Sequence, residues 1–329
     1  MKKKQIVVTG GAGFIGCNLA QALNARGHDD LIIVDHLNHP LKERNLNSLQ
    51  CADYLDRADF RAALARDKFS GIKAILHMGA CSSTTETDQA YLNDNNVAYT
   101  RELGEWCLRK NARFVYASSA ATYGDGTLGY DDDHQLVPRL RPLNLYGQSK
   151  QDFDLFALNN GWLDQIAGLK YFNVFGPYED HKCEMRSLVQ KAYHQVLATG
   201  ELALFRSHRP EYRDGEQVRD FIYVKDAVAV TLFLLDHPDR NGLFNCGTGR
   251  AHSWIELANA VFAALDRPPS IRFIDMPESI RDKYQYHTEA KIEKLRAAGY
   301  DRAFTPLHDA VSDYVRNFLA ATDNHKPSN

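Results

Sequence analysis

The sequence predicts an α/β fold, a doubly wound parallel sheet with a smaller carboxy-terminal lobe. Short apolar runs typical of buried strands alternate with longer segments of helical periodicity, which favours parallel strands joined by helices. A glycine-rich segment follows the first of these runs. Near residue 175 the alternation ends, because Gly176-Pro177 interrupts the chain and charged loops follow. We therefore expect one domain over residues 1–175 and a second, smaller lobe over 176–329, with segments near 219–252 that could return to the first domain.

The first strand and helix enclose the glycine-rich segment. Gln5–Val8 predicts a buried strand, and residues 14–26 have helical periodicity. Gly10, Gly13 and Gly16 fall at the turn between them. The absence of a Cβ atom there lets the backbone approach a pyrophosphate, whose charge sits at the positive end of the helix. This arrangement predicts a Rossmann-type dinucleotide site.

The second strand strengthens this prediction. Leu31–Val34 is a second apolar run about twenty residues further on, and it ends in Asp35, where a carboxylate can bind a ribose hydroxyl. Further strands are predicted at Ile72–His77, Arg113–Ala117, Ile166–Phe172 and Leu243–Cys246. Helices are predicted at Gln89–Arg109, Asn144–Leu158, Val224–Leu235 and Leu307–Phe318. Ligands should then lie beyond the carboxyl ends of the strands, at the switch point of the sheet.

Composition narrows the possible classes of function. The chain has 329 residues and a net charge of −3, so nothing suggests a nucleic-acid or anionic-membrane partner. No apolar stretch approaches the ~18 residues of a membrane span. The six cysteines are scattered without a C-x-x-C pair, so we expect reduced thiols, no metal site and a cytoplasmic protein.

A second motif indicates catalysis. Tyr146 and Lys150 form Y-x-x-x-K in a predicted helix, where positions i and i+4 share a face, so both side chains should project into one pocket. A nearby cation favours phenolate, which can bring the pKa of Tyr146 from ~10 towards neutrality and make it a usable base. Ser119 ends a predicted strand, where it could hydrogen-bond the reacting oxygen. Taken alone, Y-x-x-x-K also fits surface residues of an ordinary helix.

Together these motifs resemble the extended short-chain dehydrogenase/reductase superfamily over essentially the whole chain. Two further segments, Arg219–Val224 and Asn245–Gly249, are usual in its members acting on nucleotide sugars. The resemblance implies an NAD(P)-dependent oxidation of a sugar hydroxyl. It implies that Tyr146 is the base, that Lys150 supports Tyr146 and binds the ribose, and that Ser119 orients the reacting oxygen.

Finer features resemble the ADP-heptose 6-epimerase family within that superfamily. They are Gly79–Glu86, Asp94–Asn96, Ala117–Gly124, Pro142–Asn144, Tyr171–Val174, His181-Lys182 and Leu295–Asp301. This resemblance implies inversion of C6 of an ADP-heptose for the lipopolysaccharide inner core, and a homo-oligomer, a pentamer. It also implies that Lys182 is a second acid/base opposite Tyr146. The alternative for Lys182 is a loop lysine that pairs with substrate phosphate.

The same resemblance implies the binding residues. Besides the three glycines, the cofactor contacts are Phe14, Ile15, Asp35, His36, Lys42, Arg57, Met78, Gly79, Ala80, Cys81, Ser82, Asn95, Lys150, Val174 and Lys182. The substrate contacts are Ser119, Asn173, Glu184, Lys191, Phe205, Arg206, Ser207, His208, Arg219 and Tyr284. Arg219 is also expected on chemical grounds, because a diphosphate suits a bidentate cation. Tyr284 could pack on sugar or base, or be an ordinary core tyrosine.

The choice of cofactor depends on the residues around the adenosine ribose. Asp35 alone favours NAD, because a carboxylate repels a 2′-phosphate. The resembling epimerases nevertheless tolerate this acid and prefer NADP, with basic residues nearby. Lys42 and Arg57 could fill that role, so the sequence predicts NADP, with NAD as the alternative.

Departures from the family pattern cluster on the substrate side. Cys183-Glu184 replaces a glycine and a small or basic residue, Lys191 replaces a histidine, and the segment Phe205–Pro210 differs throughout. An epimerase of another nucleotide sugar, for example at C4 of a UDP-sugar, is therefore the main alternative. A dehydratase is disfavoured because Ala120-Ala121 stands where that reaction needs an acid pair. A protein that binds NAD(P) without turnover is disfavoured because Tyr146 and Lys150 are both present.

Overall fold

The computed structural model describes residues 5–281 and 284–323. Its largest sheet has seven parallel strands in the order β10-β6-β5-β4-β1-β2-β3. These strands are β1 Gln5–Thr9, β2 Ile32–Asp35, β3 Asp53–Asp56, β4 Ile72–His77, β5 Arg113–Ser119, β6 Ala167–Tyr171 and β10 Gly242–Cys246. The chain winds from β1 to one edge and then from β4 to the other, so the switch point lies between β1 and β4. The predicted fold class, a Rossmann-type doubly wound sheet, is confirmed.

Helices connect the strands and cover the sheet. In the first half these are α1 Phe14–Ala25, α2 Pro40–Asn47, α3 Arg57–Ala65, α4 Gln89–Leu92, α5 Tyr99–Lys110 and α6 Leu145–Asn159. In the second half they are α7 Leu188–Thr199, α8 Val224–Asp236, α9 Trp254–Ala264, α10 Glu278–Arg281, α11 Glu293–Ala297, α12 Leu307–Tyr314 and α13 Ala320–Asp323. Among the residues described, no helix has both the length and the apolarity needed to cross a bilayer.

The second half of the chain adds two small sheets beside the large one. One has the order β11-β9-β7 and the other pairs β12 with β8. Their strands are β7 Asn173–Phe175, β8 Leu202–Phe205, β9 Val218–Tyr223, β11 Ala251–Ser253 and β12 Ile271–Ile274. Between them, β10 joins the edge of the large sheet and α8 packs on α1, so this part of the 219–252 region lies with the first half of the chain.

Both halves share one apolar cluster. It runs from β1 and β4 through α8 and β9 to helices α7, α9 and α12, with Val8, Leu76, Ile222, Phe262 and Val311 almost fully buried. Burial of this kind contributes about 25 cal/mol per Å² of apolar surface and fixes the two halves against each other. The crevice between them is therefore held by a continuous core.

The structure differs from the sequence prediction in two helices. The predicted helix Gln89–Arg109 is broken by a π-helical turn at Asn93–Ala98, and the closing helix contains another at Val315–Leu319. Such turns shift the side chains that follow and are frequent at functional sites. The first of them carries Asn95 and Asn96 towards the edge of the central sheet.

Candidate active site

The glycine-rich turn forms a tight cradle at the switch point. Gly10 follows β1 with a φ of +65°, a conformation that glycine adopts without strain. A Cβ atom on Gly10 would lie 2.7 Å from the Cα of Gly79, and one on Gly16 would lie 2.1 Å from the carbonyl oxygen of Gly10. The two loops after β1 and β4 thus meet backbone to backbone, and the first turn of α1 points its free N–H groups across the crevice.

Asp35 ties this turn to the second strand. The buried carboxylate accepts the backbone N–H of Ala12 at 2.9 Å and that of His36 at 2.7 Å. It also pairs with the Lys42 ammonium at 2.9 Å. Because its negative charge is already matched by a lysine, Asp35 repels a nearby phosphate less than an isolated carboxylate would.

The predicted cofactor residues line two adjoining clefts along the carboxyl ends of β1, β2 and β4. Gly10, Asp35, Lys42, Gly79 and Ala80 border both clefts. The larger cleft adds Gly13, Phe14, Ile15, Gly16, Met78, Ser82, Lys150, Val174 and Lys182, and the smaller adds His36, Arg57 and Asn95.

One predicted cofactor residue, Cys81, lies outside the lining of both clefts. Its backbone is held by Asn96, whose side chain accepts from the Cys81 N–H at 2.8 Å and donates to the Cys81 carbonyl at 3.0 Å. Asn96 also donates to the Ser149 hydroxyl at 2.9 Å, and so links the loop after β4 to α6. The sequence motif contained Asn96, but only the structure gives it this positioning role.

Four predicted catalytic residues surround the larger cleft, a cavity of about 280 Å³. Ser119 ends β5, while Tyr146 and Lys150 lie on successive turns of α6. Asn144 caps this helix by accepting from the Gly147 N–H at 2.8 Å. Lys182 comes from a 3₁₀ turn, Asp180–Met185, in the second half of the chain. The fold therefore brings residues up to 63 positions apart in sequence to the same cleft.

The protonation states differ from the sequence expectation. Burial raises the pKa of Tyr146 from its ordinary value, and the hydrogen bond with Ser119 lowers it by less. Burial also lowers the pKa of Lys150 to about 8. Lys150 donates to the carbonyl of Ala117 at 2.8 Å. Burial is therefore the largest influence on the pKa of Tyr146, and a lowering by Lys150 is not seen.

Lys182 borders the same cleft from a different element, the 3₁₀ turn Asp180–Met185. Its ammonium lies 5.1 Å from the centre of the Phe14 ring. Burial lowers its pKa, with Glu179 acting in the opposite direction and Lys191 in the same one. Burial is therefore the main reason that the pKa of Lys182 lies below its ordinary value.

A buried polar network lies next to the predicted catalytic residues and joins β5, β6 and α6. The Asp154 carboxylate pairs with Lys170 at 2.7 Å and accepts the hydroxyls of Ser118 at 2.7 Å and Tyr116 at 2.9 Å. Lys170 also donates to Thr122 at 2.8 Å. The lysine and aspartate side chains are 1% and 0% exposed. Sequence reasoning missed this network, although Asp154 stands one helical turn beyond Lys150 on the same face of α6.

The predicted substrate residue Arg219 is a buried cation beside two aromatic rings. Its guanidinium lies 5.0 Å from the Tyr284 ring and 5.6 Å from the Trp254 ring. Trp254 donates to the Tyr284 hydroxyl at 2.8 Å, which fixes both rings. Arg219 donates to the carbonyl of Val218, and burial lowers its pKa. A buried guanidinium has lost hydrogen bonds to water, and a bound anion would replace them.

The other substrate candidates in the second half of the chain are exposed or half-exposed residues at several different elements. Asn173 is exposed on β7. The Glu184 carboxylate lies 3.7 Å from the Lys191 ammonium, with side chains 94% and 39% exposed, so lysine offsets the unexpected acid. Phe205 ends β8, and the following loop holds Arg206, Ser207 and His208. Tyr286 anchors this loop by accepting the His208 N–H at 3.0 Å, a contact that the sequence did not indicate.

Asp220 connects the two segments that resemble nucleotide-sugar enzymes, Arg219–Val224 and Asn245–Gly249. Its buried carboxylate accepts the backbone N–H groups of Thr248 at 2.8 Å, Gly249 at 2.9 Å and Ala290 at 3.1 Å. The carboxylate thus ties β9 to the turn after β10, next to Arg219. The two sequence segments resembling nucleotide-sugar enzymes therefore meet at one point.

Comparison with known proteins defines the class. Residues 6–247 match the model of the NAD dependent epimerase/dehydratase family, so the chain belongs to this family, named for a nicotinamide cofactor. An ADP-L-glycero-D-manno-heptose-6-epimerase of Nitratidesulfovibrio vulgaris strain Hildenborough is 52% identical over 320 residues, which cover 97% of this chain and 99% of that protein. A protein of the same name from Fusobacterium nucleatum is 44% identical over 97% of this chain and 99% of its own.

Solved structures of epimerases have the same fold as this chain. The Helicobacter pylori ADP-L-glycero-D-manno-heptose-6-epimerase has a TM-score of 0.79 at 27% identity, covering 97% of both chains. A UDP-N-acetylglucosamine 4-epimerase from Methanobrevibacter ruminantium shares the fold, with a TM-score of 0.79 at 23% identity over 98% of this chain and 100% of that one. The predicted resemblance to heptose 6-epimerases and the predicted enzyme class, an isomerase, are confirmed.

Proposed function

We propose that this protein inverts C6 of ADP-D-glycero-D-manno-heptose to give the L-glycero epimer, using tightly held NADP, for synthesis of the lipopolysaccharide inner core. One observation carries the proposal: Ser119, Tyr146, Lys150 and Lys182 line one cleft in a chain 52% identical, over nearly its full length, to a protein of that name. The family resemblance further predicts a cytoplasmic homo-oligomer, a pentamer, and this stays a prediction.

The residues present fit a dinucleotide. Gly10 and Gly16 leave room that a Cβ atom would fill, beside the free N–H groups of α1. Lys42, paired with Asp35, and Arg57 would place cations near the adenosine ribose. Asp35, Lys42 and Arg57 together carry a net charge of +1, which favours the extra phosphate of NADP over NAD.

The chemistry explains why a nicotinamide is needed. An unactivated carbinol carbon cannot lose a proton near pH 7, but it can give up a hydride, and a bound nicotinamide supplies the acceptor and later the donor of that hydride. Tyr146 would take the hydroxyl proton when a bound, cationic nicotinamide offsets the burial that raises its pKa. Ser119 holds the oxygen, and Lys150 orients the site through the carbonyl of Ala117. The products of this half-reaction are a C6 ketone and a reduced cofactor, so charge and protons balance.

Inversion requires reduction of the other face of the ketone. The intermediate turns within the cleft, and Lys182, across from Tyr146, gives the proton when the hydride returns. The lowered pKa of Lys182 makes it a better acid and base near neutrality. Lys182→Ala should then impair reaction from one C6 epimer more than from the other. Equal, small effects in both directions would assign Lys182 to phosphate binding instead.

The substrate side supports a nucleoside diphosphate. Arg219 offers a planar guanidinium for the diphosphate, and the Tyr284 and Trp254 rings beside it offer stacking surfaces for a base or sugar. The altered Glu184–Lys191 pair and Phe205–His208 loop favour a second candidate, an epimerase of another nucleotide sugar.

The deciding experiment is incubation of purified protein with ADP-D-glycero-D-manno-heptose without added reductant, followed by NMR of the recovered sugar. We expect a mixture of the two C6 epimers. Unchanged sugar, from protein that binds NADP, would contradict the substrate assignment. A panel of UDP-sugars assayed for C4 inversion would then test the second candidate.

A further inference from the structure

His181 is a cleft residue with an unused polar atom. It precedes Lys182 in the same 3₁₀ turn and lines the larger cleft with Gly13, Phe14 and Lys42. Its Nδ1 atom is buried and has no hydrogen-bond partner in the part of the chain that the structure describes. Buried polar atoms are almost always paired, so an orphaned nitrogen in a ligand cleft indicates a group supplied by the ligand.

The charges around His181 indicate the sign of that group. Lys42 and His39 face it from the start of α2, and Lys182 from its own turn, while Asp35 faces it from the end of β2. The Asp35 carboxylate is already paired with Lys42. Burial, followed by Lys42, lowers the pKa of His181 to about 4, so the ring is neutral in the free protein at neutral pH. An anion is therefore the partner that these surroundings favour.

The position of His181 indicates which anion. The ring borders the same cleft as the glycine cradle and the first turn of α1, where the phosphates of a dinucleotide would lie. We propose that His181 donates a hydrogen bond from Nδ1 to a phosphate oxygen of the bound dinucleotide and takes up a proton as the dinucleotide binds. This inference rests on the proposed function, because it requires a dinucleotide in the cleft.

Proton uptake links dinucleotide affinity to pH. The free ring titrates near 4, and a phosphate beside it raises the pKa in the complex. Between those two values the complex carries one proton more than the free protein. Affinity therefore falls as pH rises through that interval, by up to tenfold per pH unit, and becomes independent of pH above it.

The test uses full-length protein freed of cofactor, titrated calorimetrically with NADP⁺ and NAD⁺ in buffers of different ionisation enthalpy over about pH 5–8. His181→Phe keeps the ring shape without a donor, and His181→Asn keeps a donor near the position of Nδ1. His39→Asn is the matched control, because asparagine preserves the acceptor that caps α2. Since the 2′-phosphate of NADP also titrates near pH 6, proton uptake is read as the difference between wild type and variants.

We expect His181→Phe to lose part of the proton uptake and to bind about tenfold or more weakly, as for loss of a charge-assisted hydrogen bond. His181→Asn should recover affinity without proton uptake, and His39→Asn should match wild type. An effect on NADP⁺ alone places the contact at the 2′-phosphate, and an effect on both places it at the pyrophosphate. Unchanged affinity and proton uptake in His181→Phe would overturn the inference alone, whereas wild type that binds neither dinucleotide would overturn the proposed function with it.

Discussion

The cofactor cleft and the substrate lobe are built in different ways. In the cofactor cleft, parallel strands deliver glycines and polar side chains to one edge, where Asp35 is paired with Lys42, and a buried pair, Asp154 with Lys170, lies in the adjoining core. On the substrate side, Arg219 lies beside two aromatic rings, and Glu184 lies on an exposed loop. From this comparison we expect the reaction to depend on residues positioned by the sheet, and the choice of substrate to depend on the loops of the second half of the chain.

The largest expected effect is in the cofactor cleft. Tyr146→Phe removes the proposed base while keeping the ring, so turnover should fall at least ~10²-fold. The affinity for NADP should stay within about twofold, because the hydroxyl acts on the sugar. Steady-state kinetics and cofactor titration check the two parts. A loss of turnover below tenfold would separate Tyr146 from catalysis.

The buried network should govern stability. Asp154→Asn removes the negative charge but keeps the side-chain shape, which leaves the Lys170 ammonium buried without its counter-charge. Breaking such a pair costs about 3–5 kcal/mol of the free energy of unfolding. Chemical denaturation measures the change.

The double variant Asp154→Asn/Lys170→Met is the control for this prediction. It removes the uncompensated charge and should recover part of the lost stability, because no buried ion is left alone. Additive losses in the double variant would mean that the two residues act independently, contrary to the network described.

Substitution of Arg219 should weaken substrate binding without affecting cofactor binding. Arg219→Met removes the cation from the substrate side, so the KM for the nucleotide sugar should rise about 10–100-fold, as for loss of a charge-assisted hydrogen bond. Cofactor affinity should not change, and Arg219→Lys should be intermediate, since it keeps the charge but not the planar fork. If Arg219→Met weakened NADP binding equally, the division between the regions would be wrong.

The smallest effect is expected at the exposed pair. Glu184→Gln breaks a contact of 3.7 Å in which the carboxylate is 94% exposed, so stability should not change measurably. KM should fall slightly, by less than about threefold, because a negative charge near the diphosphate is removed. Lys191→Gln is the opposite control and should raise KM. A large change in stability with either variant would show that this loop is more than an exposed rim.

The sequence predicted the cofactor cleft better than the substrate lobe for a physical reason. A glycine cradle and Y-x-x-x-K are local patterns, and the sheet brings them together by a general rule of connection. The Asp154–Lys170 pair and the contacts of Asn96 with Cys81 and Ser149 each join residues on different elements, so no local pattern reveals them. The rise in the pKa of Tyr146 is likewise not visible in the motif, because desolvation depends on the packed structure.

The most direct test of the proposed redox mechanism follows the hydrogen atom at C6 during inversion. ADP-D-glycero-D-manno-heptose carrying deuterium at C6 would be incubated with the protein in ordinary water, and the label in the product epimer measured by NMR. Removal and return of the same hydride within the cleft predicts that deuterium stays at C6 after inversion. Replacement of the deuterium by solvent hydrogen would contradict the redox mechanism, because it requires proton exchange at carbon.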